Sequence, residues 1–142
     1  MARSISNYEL IECIIPQSST GTRFFFNDEP QLRFASMKAL EVYTPGVVTN
    51  SPLSGNALLA LADMQKTFLV LYYGDKEAVS RIPVLALNRV ATNSGTGNPY
   101  VFNLNQFENP RVIWSKSYLV TPTAYATIGS ANFSVIFGVH YD

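Results

Sequence analysis

Residues 132–141 alternate at all but one position. Phe133, Val135, Phe137, Val139 and Tyr141 share one parity and Asn132, Ser134, Gly138 and His140 the other, with Ile136 as the interruption. Successive side chains of an extended chain point to opposite faces, so this stretch predicts a strand with one face in a core. Runs of β-branched and aromatic residues at 8–15, 22–26, 32–43, 67–73, 79–87 and 111–121 predict six more strands. The eight prolines fall mostly between these runs, beside Gly, Asn and Ser, as turn punctuation. Pro83 lies inside a run instead; having no N–H to give a ladder, it predicts an edge position, a bulge or a break.

Residues 57–66 (ALLALADMQK) are good helix formers behind a capping Asn56 and predict a short helix, although 58–62 would also suit a buried strand. Residues 45–56 and 91–98, rich in Thr, Asn, Ser and Gly, predict exposed loops. A parallel sheet would need a crossover helix after each strand. The fold class is therefore all-β: an antiparallel β-sandwich or single jelly roll, with at most one short helix near residues 56–66. A chain of 142 residues can bury one sizeable core. One domain is expected over 1–142, with residues 1–20 available as an N-terminal arm. The run 67–73 is apolar on both parities, with Leu69, Leu71 and Tyr73 on one and Phe68, Val70 and Tyr72 on the other. Each sheet of a two-layer sandwich normally turns one face to water, so this strand needs a further cover from a helix, a loop or a neighbouring subunit.

Charge narrows the function classes. Ten basic and ten acidic residues cancel, and charged residues make up only 14% of the chain against an average of about 25%. Nucleic-acid binding is not expected, because neutralising phosphates needs a local excess of Lys and Arg. A neutral, aromatic-rich surface favours association. Cys13 is the single cysteine, so no intramolecular disulfide can form; alternating with Ile11 and Ile15, it reads as a small buried hydrophobe. Asn7, Glu9 and Glu12 break up the first fifteen residues, so no signal-peptide core forms and secretion by that route is not expected. The longest apolar runs, Phe68–Tyr73 and 82–87, are six residues each, far below the roughly 20 that span a bilayer. No membrane span is expected.

No catalytic, cofactor-binding or metal-ligating residue emerges. His140 is the lone histidine, which excludes any metal site built on two imidazoles; on the polar parity near the end of its strand, it reads as an exposed or interface residue. Residues 28–30 and 75–77 hold carboxylates but read as turns, and Glu9 and Glu12 have opposite parity on one strand. No serine sits in a Gly-x-Ser-x-Gly elbow, and Gly95-Thr96-Gly97 lacks the third glycine of a dinucleotide loop. Arg23 and Arg33 precede Phe24 and Phe34, but without an RNA-binding signature these are core strands. Outward aromatics remain. Trp114 and Tyr118 share a parity with Val112 and Val120, and with Tyr72 and His140 they form the candidate subunit interface, the competing reading being one layer of the domain's own core. Trp114, Tyr100 and Tyr43 are the candidate glycan contacts of an alternative function, a glycan- or receptor-binding module.

Residues 67–72 (TFLVLY), 81–88 (RIPVLALN), 114–119 (WSKSYL) and the closing strand Phe133–Tyr141 resemble small jelly-roll structural proteins of bacteriophage virions, of the capsid, auxiliary or decoration kind. The resemblance covers residues 57–141. It implies a structural virion protein, assembled in the host cytoplasm, that forms a homotrimer or larger ring, contacts other shell proteins, and has neither catalysis nor cofactor.

Overall fold

The computed structural model describes residues 7–16, 21–33, 35–45, 48–73, 76–87, 102–103, 111–121 and 132–141. Its strands are β1 (Asn7–Ile15), β2 (Arg23–Phe25), β3 (Met37–Tyr43), β4 (Ala57–Leu58), β5 (Phe68–Tyr73), β6 (Lys76–Pro83), β7 (Phe102–Asn103), β8 (Tyr118–Val120) and β9 (Phe133–Tyr141). One sheet runs β1-β9-β3-β7, with β4 beside β9 beyond the end of β3, and the other runs β2-β8-β5-β6. Strands pair antiparallel throughout except for the two-residue contact of β4 with β9. The fold is the all-β antiparallel class that the alternation predicts.

With β4 set aside, the pairings nest: β1 with β9, β2 with β8, β3 with β7, and β5 with β6. Two further seams, β9 with β3 and β8 with β5, complete the two sheets. The longest ladder joins Asn7 to Tyr141 at one end and Ile15 to Phe133 at the other.

Local structure departs from the expected runs where 3-10 turns adjoin or interrupt them. Run 32–43 is extended only from Met37, after a 3-10 turn at Pro30–Leu32; run 111–121 is extended only over Tyr118–Val120, after one at Trp114–Lys116. Run 79–87 stops at Pro83 and continues as a 3-10 turn, Val84–Leu87. Pro83 is thus the last residue of β6, an edge strand, where a missing N–H disrupts least. Residues 57–66 divide between their two readings: only Ala57–Leu58 are strand, as β4, and only Leu61–Met64 form a helical turn, α1, which starts after Ala60 rather than at Asn56.

The core lies between the sheets. Ile11, Cys13 and Ile15 of β1, Leu40 and Val42 of β3, and Val135, Phe137 and Val139 of β9 cluster with Phe24, Leu69, Leu71, Ile82 and Leu119 of the second sheet. Met37 and Leu40 both point inward although three positions apart, because the register shifts between Met37 and Ala39. Cys13 is buried as its parity predicts, with Sγ 3.3 Å from the Phe24 carbonyl, and burial raises its thiol pKa. Phe137 is fully enclosed, its ring 5.5 Å from that of Phe26. Phe137→Ala should lower unfolding free energy by about 3–5 kcal/mol, read from the urea midpoint at unchanged slope.

Candidate functional site

The two sheets treat their outer faces differently. On the first, Tyr8 reaches across β9 to β3: its hydroxyl donates to Glu41 Oε1 at 2.5 Å and lies 2.5 Å from the Tyr43 hydroxyl. A phenol has one proton, so Tyr43 is the donor in the second contact. Gly138, which pairs with Leu10 and Glu41, makes the crossing possible. A Cβ there would overlap the Tyr8 hydroxyl and crowd Glu41 Oε1 at 2.9 Å. Glu41 is only 2% exposed beneath this arrangement. Burial, and then the bonds to Glu41 and Tyr43, hold the Tyr8 phenol far above its usual pKa. The His140 ring packs 4.7 Å from that of Tyr8. Further along the same face, Ser51 and Ser54 donate to Glu12 Oε2 and Asn56 Nδ2 donates to Ser134 Oγ, so the loop before β4 fastens over the sheet.

The second sheet turns aromatic rings and cations outward. The register places Phe25 beside Tyr118 and Tyr118 beside Val70. Phe25 and Tyr118 rings are 5.1 Å apart, and Tyr118 and Tyr72 rings 6.3 Å. Arg23 lies over Tyr118 at 5.3 Å and Arg81 over Phe68 at 6.0 Å, both in cation–π range. Tyr118 is consequently 9% exposed, whereas Phe25 remains 55% exposed. A groove of about 290 Å³ runs along this row, lined by Arg23, Phe25, Tyr72, Ser115, Lys116 and Tyr118.

Beside it opens a larger hollow of about 510 Å³, lined by Asp28, Glu29, Arg33, Val112, Ile113, Trp114 and Ser115. At its rim Arg33 pairs with Asp28 at 2.5 Å, and Gln31 Nε2 bridges Glu9 and Glu29. Burial, and then the charges of Glu9 and Asp28, raise the Glu29 pKa, with the Gln31 bond opposing. Ser117 locks the segment behind both openings, donating to the Ile113 carbonyl at 2.9 Å and accepting from the Tyr72 N–H at 3.2 Å.

The structure divides the expected interface residues. Trp114 does not share a face with Tyr118. The 3-10 turn Trp114–Lys116 takes three residues per turn and breaks the two-residue period, so Val112 and Trp114 join the core while Tyr118 and Val120 face outward. Trp114 is 2% exposed and meets Phe26 edge-on at 5.1 Å. Tyr72 and Tyr118 do come together, but His140 and Tyr43 lie on the other sheet. Tyr100 and the loop 91–98 fall outside the described residues, as do residues 74–75; Lys76 and Glu77 of the expected 75–77 turn belong instead to β6. Phe25, expected with Phe24 and Phe26 as part of a core strand, is exposed instead, and Gly138 carried no expected role. Alternation between Phe24 and Phe26 already turns Phe25 outward, and a glycine within a strand pattern signals a close approach.

Among the described residues, no group of three or more His, Cys, Asp and Glu is placed to hold a metal, and no helix is long and apolar enough to cross a membrane. Compared with family models, curated proteins and solved structures, the chain matches none.

If Gly138→Ala acts by expelling the Tyr8 hydroxyl from a buried carboxylate, it should cost about 1–3 kcal/mol, and much less in a Tyr8→Ala background. A double-mutant cycle in urea reads that coupling. For Glu29 the folded pKa is raised, so protonation favours the native state. The stability it contributes is present below the ordinary carboxyl range near ~4.3 and is lost as pH rises through the folded value. Glu29→Gln should therefore stabilise the protein at pH 7 and lose that advantage in acid, as a pH series of thermal unfolding would record.

Proposed function

We propose that this chain is a non-catalytic jelly-roll subunit that works by associating with copies of itself and, in a virion, with other shell proteins. The nested pairing of eight strands, first with last and so inward, supports the jelly-roll reading, since two Greek keys rolled into facing sheets produce that order. Zero net charge supports association, because it removes long-range repulsion between copies.

The observation that carries the reading is the exposed Phe25 ring in a row with Tyr118 and Tyr72. An aromatic side chain can bury roughly 150–250 Å² against a partner, and aromatic residues are enriched where subunits meet. The face of β2, β8 and β5 thus takes the role expected of Trp114 and Tyr118 together, with Phe25 in place of Trp114. The first sheet serves this purpose less well, since its own loop is fastened over it.

The same row supports a second reading as a glycan-binding face. Sugar rings stack on exposed aromatics, and Arg23 and Ser115 stand beside them to bond hydroxyl or carboxylate groups. A glycan array compares the two readings: binding abolished by Phe25→Ala favours the glycan module, and silence from a stable oligomer favours the structural subunit. Trp114→Ala is unsuited to that test, because it would open the core.

In light scattering, the purified chain should self-associate at micromolar concentration. Tyr72→Glu should weaken association at least about tenfold, or about 1.4 kcal/mol. Leu53→Glu, on the loop fastened over the other sheet, should leave it unchanged. A monomer at all accessible concentrations would overturn the self-association reading.

A further inference from the structure

We infer that two copies pair about a two-fold axis near Ser115, each placing its Phe25 ring in the other's hollow beside Ile113, over the buried Val112 and Trp114. This contact rests on the self-association proposed above and specifies its geometry. Ser115 lines both the groove and the hollow, so the two openings adjoin on one continuous surface. A two-fold contact uses one patch twice, with residue i against j and j against i. A protruding ring on one side of Ser115 and an apolar-walled hollow on the other meet that requirement.

Charge points the same way. Among the described lining residues, the groove carries Arg23 and Lys116 and no acid, while the hollow carries Asp28 and Glu29 against Arg33 alone. Stacking groove on groove would oppose four cations. Rotation about Ser115 instead brings Arg23 and Lys116 of each copy to Asp28 and Glu29 of the other. Ionised Glu29 is already disfavoured, first by burial and then by the charges of Glu9 and Asp28, against the opposing bond from Gln31. Cations arriving from a partner would relieve that repulsion. At about 510 Å³ the hollow has room for a phenyl ring without displacing Trp114 from the core. The contact closes on itself and yields an even number of copies, unlike the trimer that the family resemblance implies.

Two charge-reversed full-length variants test the pairing by light scattering and sedimentation, with thermal unfolding confirming that each is folded. One carries Arg23→Glu and Lys116→Glu; the other carries Asp28→Lys and Glu29→Lys. Each alone should be monomeric where the natural chain is dimeric, since its contact opposes like charges. An equimolar mixture should recover a two-chain mass, because both halves of the mixed contact become complementary. Phe25→Ala, which changes no charge, should weaken dimerisation at least about tenfold. Variants that associate as tightly as the natural chain, or a natural mass of three chains, would overturn the two-fold contact while leaving self-association standing. A natural chain that stays monomeric would remove both.

Discussion

The ladder between β1 and β9 is the constraint on which the other parts depend. It joins the two ends of the described chain residue for residue, from Asn7 with Tyr141 to Ile15 with Phe133. β9 is also the strand that β3 joins on its other edge. Phe137 sits at the centre of this arrangement, its neighbours on both strands and its ring against the second sheet. Nested pairing of distant segments carries a large loop-closure cost, which the buried faces repay only once both sheets are in place. Such a fold forms as a unit, and its outer faces are free to differ because neither is needed to hold the layers together.

They do differ. The first sheet spends its outer face on polar fastening within the chain: Tyr8 and Tyr43 serve Glu41, while Ser51 and Ser54 serve Glu12. Gly138 permits this by leaving room for a ring to cross its strand. The second sheet carries Phe68, Val70, Tyr72, Tyr118 and Phe25 outward, and the guanidinium groups of Arg23 and Arg81 cover only part of that area. The further cover that a strand apolar on both faces demands is supplied unevenly. Tyr118 is sheltered and Phe25 is left to solvent.

Much of the fold was readable from residue order because a two-residue period leaves little choice. Phe133–Tyr141, with five large residues on one parity, turns that parity to the core, although Ser134 and Ile136 of the other parity are buried as well, and Cys13 between Ile11 and Ile15 could only be core. The candidate site was harder to read. Trp114 and Tyr118 look equivalent in a list of alternating positions, yet one 3-10 turn sends the first into the core and leaves the second outside. Nothing in the residues around Trp114 marks that turn as strongly as a proline or glycine would. Phe25 was visible by alternation, but its neighbours Phe24 and Phe26 made the triplet read as wholly buried.

Residue order by itself determined the β class, an interruption of the ladder at Pro83, the inward face of β9 and the burial of Cys13, since each follows from local periodicity or from a missing N–H; that Pro83 ends an edge strand was decided by the sheet order. Only the tertiary structure decided that Tyr8 would find Glu41 and Tyr43, that Phe25 would stand next to a hollow, and that the acids at 28–29 would share a surface with Arg23. These relations pass through residues far apart along the chain: Tyr8 is 33 and 35 positions from its two partners, and Arg23 and the acids, though near in sequence, both meet the distant segment at Ser115. They come from strand register and sheet order, which a two-residue period, the same for every strand, cannot specify.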